Sequence, residues 1–336
     1  MKNVLYVGNA LSKTGRTVTT IETLGAHLKE LCRIKIASQK ANKFLRLLDM
    51  MQLVIKNRSQ TDLVLIDTYS TLNFYYAYII SKLCIAFKID YIPILHGGNL
   101  EKRLVESRKM GMGIFNNAKC LVAPSNFLKS KFETHGYNNV VYIPNCIAIE
   151  NYNFQNRKIE TIKMLWVRSF SSIYNPKLAV LILEGLILKG YDATLTMVGP
   201  DVDGSLSEVR KLAKDKNLNV NFTGKLSKQE WIALSKNHNV FLNTTNYDNM
   251  PVSVIEAMAL GLPIVSTNVG GLPYLISNEE EGVLVEPNAV EAMVKAILRI
   301  KKDKVLRYNM VENARLKAES FDWNAIKPKW NAVLND

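Results

Sequence analysis

The sequence predicts an α/β protein made of two doubly wound parallel sheets, and three of its features carry that prediction. Short apolar or β-branched runs alternate with longer helix-like segments along almost the whole chain. The alternation restarts after about residue 160. A polar stretch, CIAIENYNFQNRKIET, separates the two series. Such alternation marks βαβ units, in which a parallel sheet is covered by helices on both faces.

In the first series, strands are predicted at Val4–Val7, Arg33–Ile36, Leu63–Ile66, Tyr91–Leu95, Cys120–Ala123 and Val140–Ile143. Helices are predicted between them, near 18–31, 42–56, 71–87, 101–117 and 125–135. In the second series, strands fall at Met164–Val167, Thr194–Val198, Val220–Thr223, Val240–Asn243, Ile264–Thr267 and Gly282–Val285. The runs are short and apolar or β-branched, as strands of a covered parallel sheet are. The polar stretch reads as a linker, so two domains facing each other are expected, the first over 1–150 and the second over 160–320. Ligands of such sheets bind beyond the carboxyl ends of the strands, so functional residues are expected just after strands.

Composition bounds the class. The chain has 336 residues, 48% hydrophobic and 22% charged, which is the balance of a folded globular protein. The cysteines Cys32, Cys84, Cys120 and Cys146 show no metal-type spacing, which favours a reducing cytoplasm over a disulfide framework. The start, MKNVLYVGNA, has too short an apolar run for a signal peptide. The longest apolar stretch, FYYAYIISKLCIAFKIDYIPIL, is interrupted by Lys82, Lys88 and Asp90, and reads as a buried helix followed by a strand. Net charge is +13 and uneven: residues 1–150 hold 20 basic and 10 acidic residues, the remainder 23 and 20. A basic first half suits an anionic partner such as a membrane surface, a phosphorylated substrate or nucleic acid; ordinary solubilising charge accounts for it equally well.

The most informative stretch is NYDNMPVSVIEAMALGLP, residues 246–263. VFLNTT before it reads as a strand, NYDNMP as the loop after that strand, and VSVIEAMAL as a helix stopped by Gly261. Asp248 is therefore placed on a strand-end loop, and Glu256 about one turn into the helix. Free N–H groups and the dipole at a helix start attract phosphate, while carboxylates accept hydrogen bonds from hydroxyls. Together they suit a nucleotide-sugar. A plain capped helix with Glu256 on a polar face is the competing reading.

With those residues in view, NYDNMPVSVIEAMALGLPIVSTNVGG resembles the donor-site signature of the retaining glycosyltransferase family 4, which has the GT-B fold. The signature is an acid, seven residues and a glutamate, then Ala-Met-Ala-x-Gly-x-Pro and a Gly-Gly turn. CLVAPSNFLKSKFETHG resembles the last βα unit of that family's N-terminal domain, and VVYIPNCIAIENY its interdomain linker. LTMVGP and NFTGKLS resemble the strands and loops before the donor site. SFDWNAIKPKWNAVL resembles a closing helix, here 321–336, that returns to the N-terminal domain. The likeness covers nearly the whole chain, strongly in the C-terminal half and weakly over the first 60 residues.

The resemblance implies roles for matching positions. Glu256 would bind the nucleotide ribose, and Asp248, an aspartate where the family usually has glutamate, would contact the donor sugar. The backbone from Met250 through Pro251, Val252 and Ser253 to Val254 would meet the diphosphate, with Arg168 neutralising it. The family's lysine about five residues after that arginine is missing, since Ile173 and Tyr174 stand there; Lys177 or Lys225 is a candidate replacement. In the first domain, His96 follows a predicted strand and matches a family position near the reacting sugar, with Arg168, Asp248 and His96 forming the catalytic set. Gly97 and Gly98 would let an acceptor approach the backbone. Gly15 is the candidate from the first βα loop. Lys102 and Arg103 would pair with an anionic acceptor such as a lipid diphosphate, or else form a solvated face.

Asp201 and Asp203 are spaced like a metal-binding Asp-x-Asp but read as a turn; no catalytic metal and no cofactor are expected, because cations and helix dipoles stabilise the leaving diphosphate in this family. YVGNALSKTG lacks the three-glycine dinucleotide fingerprint. The expected activity is transfer of a sugar from a UDP-, GDP- or ADP-sugar to an acceptor hydroxyl with retention, in cell-surface polysaccharide or glycolipid synthesis. The expected partners are a lipid-linked or saccharide acceptor and an anionic membrane touched reversibly, with no nucleic acid, and the expected place is cytoplasmic or peripheral on the inner face of the cell membrane. Lys102, Arg103, Arg108 and Lys109, read as one helix, are the preferred membrane-facing group; KANKFLRLLDMMQLVIKNR is the second. The alternatives are a nucleotide-sugar epimerase of related architecture and a non-catalytic binding module.

Overall fold

The computed structural model describes residues 1–12, 19–97 and 99–335. Gly15 and Gly98 lie outside the described residues. The chain divides into two compact units, Met1–Cys146 with the terminal segment from Trp323, and Ile147–Asp322.

Unit 1 holds strands β1 (Asn3–Val7), β2 (Arg33–Ala37), β3 (Leu63–Tyr69), β4 (Asp90–His96), β5 (Leu121–Ala123) and β6 (Val140–Tyr142). They form one parallel sheet in the order β2-β1-β3-β4-β5-β6. Its helices are α1 (Thr20–Leu28), α2 (Lys43–Asn57), α3 (Asn73–Phe87), α4 (Leu100–Glu106), α5 (Arg108–Phe115), α6 (Asn126–Thr134) and, from the far end of the chain, α14 (Trp323–Asn335). Helix starts are set by side chains: Asn42 accepts from the N–H groups of Phe44 and Leu45, and Ser125 from that of Leu128. α14 is fixed against α1, where Trp323 stacks on His27 with centroids 4.8 Å apart and Lys327 pairs with Glu30 at 2.7 Å.

Unit 2 holds β7 (Ile162–Val167), β8 (Ala193–Val198), β9 (Val220–Gly224), β10 (Val240–Asn243), β11 (Ile264–Thr267) and β12 (Val283–Val285), parallel in the order β12-β11-β10-β7-β8-β9. Around them lie α7 (Pro176–Leu188), α8 (Ser205–Asp215), α9 (Lys228–Ser235), α10 (Val252–Ala259), α11 (Leu272–Leu275), α12 (Val290–Lys302) and α13 (Lys304–Glu319). One face is sealed by a core that includes Trp166, Phe170, Ile182, Leu195, Met197, Met293 and Ile297. Each such side chain contributes roughly 1.5–3 kcal/mol by leaving water.

Strand order fixes where ligands can sit. In each unit the order reverses at one point, between β1 and β3 in unit 1 and between β7 and β10 in unit 2. The crossover helices on either side of such a point lie on opposite faces, which leaves a crevice beyond the carboxyl ends of the two strands.

Three local expectations are corrected. The helix expected over 101–117 is two helices, broken at Ser107, whose backbone (φ −121°, ψ 39°) is not helical. Hence Lys102 and Arg103 do not share a helix with Arg108 and Lys109. His96 does not follow β4 but ends it. The polar stretch after Cys146 is not a solvated linker: Ile147, Tyr152, Arg157 and Ile159 are buried within unit 2.

Candidate functional site

The switch point of unit 2 brings together Arg168, just after β7, and Asp248, in the loop between β10 and α10. The Arg168 guanidinium donates through Nη2 to Asp248 Oδ2, and Asp248 Oδ1 accepts from the Asn249 N–H at 2.9 Å. The guanidinium lies over the Tyr174 ring, 4.3 Å from its centroid. Arg168 Nε is buried without a partner among the described residues. An orphaned charged donor of this kind is costly unless a ligand meets it.

The loops carrying these residues are pinned from several sides. Trp166 Nε1 donates to Thr244 Oγ1 at 2.9 Å, and that hydroxyl donates to Tyr174 O at 2.9 Å. The Asn246 N–H donates to Ile173 O at 2.8 Å. So the Ile173-Tyr174 segment, where the resemblance leads one to expect a lysine, is tied to the loop of Asp248 and delivers an aromatic ring instead. Gly199 and Gly271 are obligatory: a Cβ at Gly199 would lie 1.8 Å from Arg168 O, and one at Gly271 would lie 1.7 Å from Asn249 O. The Gly-Gly turn of the sequence signature is thus the seat on which the Asp248 loop rests, and the Gly271 N–H donates to Asp248 O at 3.0 Å.

α10 starts at Val252 with Pro251 as its N-cap and no side chain capping it. The first N–H groups of the helix, at Val252 and Ser253, are therefore left for a ligand, and the positive end of the dipole adds to them. Met250 is buried beneath. Glu256, one turn on, is only 4% exposed. Its Oε1 accepts from Tyr152 Oη at 2.6 Å and from Lys228 Nζ at 2.7 Å. Burial first, and Glu256 second, push the Tyr152 phenol far up, so it remains a protonated donor.

The two lysines that the sequence offers for the diphosphate lie on different elements. Lys177, on α7, pairs with Glu208 of α8 at 2.7 Å, and Lys225 follows β9 on the segment leading into α9. Lys228, which sequence reasoning missed, is the lysine that meets Glu256. Asp201 and Asp203 are structural: Asp203 accepts from the Ser172 N–H at 2.8 Å and from Ser171 Oγ at 2.9 Å, while Asp201 accepts from the Gly204 N–H at 3.0 Å. Ser205 first, then Ser172, hold the Asp203 carboxyl well below the usual range.

The profile of glycosyl transferases group 1 matches residues 149–317, the part of the chain that carries this constellation. The chain belongs to that family. An uncharacterized glycosyltransferase of Haemophilus influenzae is 28% identical over 216 residues, covering 63% of this chain. A capsular polysaccharide biosynthesis glycosyltransferase of Staphylococcus aureus, CapM, is 28% identical over 157 residues, covering 45% of this chain. The matched stretches span 59% and 41% of the lengths of those two relatives. Among solved structures, Anabaena HepE in complex with UDP and glucose superposes with a TM-score of 0.80, covering 100% of each chain at 14% identity. At that identity the likeness establishes the fold, which is GT-B.

In unit 1 of this group 1 family member, His96 is 5% exposed, and its Nε2 lies 2.8 Å from Asp67 Oδ1. Gly97 adopts φ +81°, which a residue with a side chain rarely does. Lys102 is exposed and pairs with Glu106 at 3.5 Å. Arg103 is engaged locally: Nε donates to Ser70 O at 2.7 Å, and the guanidinium lies 5.4 Å from the Phe74 ring centre and 5.6 Å from that of Tyr75.

A second surface, on α2, combines exposed apolar and basic side chains. α2 buries only Arg46, Met50 and Val54, and turns Phe44 (68% exposed), Leu45 (52%), Leu48 (43%) and Ile55 (37%) to the outside. Lys40, Lys43, Lys56 and Arg58 are exposed at its two ends. Among the described residues, no helix is long and apolar enough to cross a membrane.

Proposed function

We propose that the protein transfers a sugar from a nucleotide-diphosphate-sugar to an acceptor hydroxyl with retention of configuration. The observation that carries this reading is the grouping, at the unit 2 switch point, of the Arg168–Asp248 pair, the open start of α10 and the buried Glu256. In this reading the ribose hydroxyls donate to Glu256. The diphosphate takes the Val252 and Ser253 N–H groups and Arg168, whose unmet Nε gains an acceptor. As the bond to the sugar breaks, charge grows on the diphosphate, and preorganised donors stabilise it most at that moment. Asp248, released from Arg168, accepts from the hydroxyls of the sugar. No metal or cofactor takes part in this scheme.

UDP is the favoured nucleotide, since HepE, a protein of the same fold, was solved with UDP and glucose. The likeness to CapM supports a role in cell-surface polysaccharide or glycolipid synthesis, with a saccharide or lipid-linked acceptor. The exposed face of α2, apolar and flanked by basic residues, supports reversible docking on an anionic membrane, which would bring the protein to a lipid-linked acceptor.

Thermal melts against UDP-, GDP- and ADP-sugars test the donor assignment, because a ligand bound by the native state raises Tm by mass action. Incubation with donor alone separates the classes. Slow hydrolysis supports a transferase. Conversion to an epimeric sugar overturns it in favour of an epimerase, and tight binding without turnover in favour of a binding module.

A further inference from the structure

The carboxyl edge of the unit 1 sheet holds a polar cluster that the scheme above does not use. Its centre is Asp67, on β3 and 4% exposed. Oδ1 accepts from Tyr6 Oη at 2.8 Å and lies 2.8 Å from His96 Nε2. Oδ2 is buried with no partner among the described residues. Gly8 closes over that oxygen, since a Cβ there would lie 2.4 Å from it. Tyr69 stacks on His96 with centroids 4.8 Å apart. Topology assembles the group: β1, β3 and β4 are successive neighbours, Val7 is in register with Ile66, and Tyr69 with His96.

Chemistry then sets the protons. Burial first, and Asp67 second, push the Tyr6 phenol far up, so Tyr6 donates an O–H to Oδ1. Tyr6 Oη and His96 Nε2 meet the same oxygen, and with Oδ1 as the shared acceptor His96 faces it with a proton on Nε2. In the neutral ring the other nitrogen, Nδ1, is then the acceptor. With Tyr69 on its face and Asp67 at its edge, the imidazole is held in both orientation and tautomer.

We infer that Asp67 is a positioning residue, fixing His96 as the Nε2–H tautomer so that Nδ1 is the nitrogen offered to the substrate hydroxyl. This rests on the proposed glycosyl transfer and on His96 as its unit 1 participant. A hydroxyl donating its hydrogen to Nδ1 keeps its oxygen lone pairs free. A ring in the other tautomer presents N–H there and turns the hydroxyl round. Glu256, Asp248 and Arg168 are unaffected, so donor binding is independent of Asp67.

The test is the ring-nitrogen spectrum of 15N-labelled protein, for the wild type, Asp67→Asn and Gly8→Ala. Hydrolysis of UDP-glucose and UDP affinity are measured alongside. The wild type is expected to show His96 as Nε2–H, and Asp67→Asn a mixture of tautomers. The variant's turnover is expected to fall about a hundredfold or more, the scale of a misdirected proton-handling group, with UDP affinity kept. If a thermal melt shows Asp67→Asn unfolded, Gly8→Ala replaces it, since its methyl meets the Asp67 carboxylate first and displaces it. A wild-type ring protonated on Nδ1 overturns the inference, and so does a folded variant with unchanged tautomer and turnover. A wild type with the expected tautomer and no turnover of any nucleotide-sugar overturns the transferase reading instead, and the tautomer result stands without it.

Discussion

Arg168 and Asp248, 80 residues apart in sequence, are joined as an ion pair at the switch point of the second sheet. Each is the group that the other would have to release for a donor to bind. A diphosphate brings the acceptors that Arg168 needs, and sugar hydroxyls bring the donors that Asp248 needs. Arg168→Ala is therefore expected to weaken UDP binding by about 1.5–3 kcal/mol, the scale of a charged hydrogen bond, and to leave uridine binding nearly untouched. Asp248→Ala is expected to lower turnover while UDP still binds. Calorimetry with UDP and with uridine checks both, and equal losses for the two ligands in Arg168→Ala would make that residue structural.

Glu256 gives the opposite signature. Its partners Tyr152 and Lys228 hold the carboxylate where a ribose would meet it. Glu256→Ala is expected to weaken uridine and UDP by similar factors, because the lost acceptor serves the nucleoside and not the phosphates. Tyr152→Phe removes one donor from a buried carboxylate and is expected to cost about 1–3 kcal/mol of stability, read from urea denaturation. Full UDP affinity in Glu256→Ala would reject the ribose assignment.

The acid side of the stability profile carries a separate expectation. His238 is buried, its Nδ1 lies 2.9 Å from Leu234 O, and burial is the first cause holding its pKa below the ordinary value. The native state therefore binds fewer protons than the unfolded chain, whose histidines titrate near about 6.5. Stability is then lost as pH falls through that value and regained as it rises. His238→Gln is expected to flatten this dependence between pH 5 and 7.5 in denaturant titrations. An unchanged slope would show that other groups set it.

Among the described residues all twelve strands fall on the short runs of the sequence, most of them apolar because both faces of a parallel sheet are covered; β2 and β9, at sheet edges, are only partly buried. The acidic pair, on the β10–α10 unit, and the glycine turn after β11 were legible through their resemblance to the family signature, since spacing alone also fits a plain capped helix. Long-range pairings were not. Lys228 is the first residue of a helix with a complete capping box, and nothing local directs its side chain to Glu256, 28 positions on. Tyr152 sits in a stretch whose polarity reads as linker, while its ring is buried. Asp67 is one polar residue inside an otherwise apolar run, and its partner His96 ends the next strand. The break at Ser107 carries neither Gly nor Pro to announce it. α2 misled in another way: its apolar residues occupy two faces, so periodicity alone could not say which face the sheet covers.

That second face yields the last prediction. Residues 44, 48 and 55 lie within about 40° of one another on a helical wheel at 100° per residue, with Leu45 flanking them, whereas Met50 and Val54 point to the far side and are buried. A stripe of this size with basic residues at both ends suits adsorption to an anionic bilayer: the apolar side chains enter the headgroup boundary and each lysine or arginine near the surface adds roughly 1 kcal/mol. Adsorption of this kind is salt-sensitive, because the charges stay in water and are screened within about 10 Å at 0.1 M salt. In flotation with vesicles containing anionic lipid, the protein is expected to float at low salt and to sink as salt rises. Phe44→Ser with Leu48→Ser should release it at every salt concentration, since the apolar part is gone. Exchanging Lys43 and Lys56 for Gln should shift the salt midpoint downward and leave UDP affinity intact. Lys102→Gln with Lys109→Gln, on α4 and α5, should change flotation little; if that pair alone releases the protein, the docking face is the α4–α5 surface and not α2.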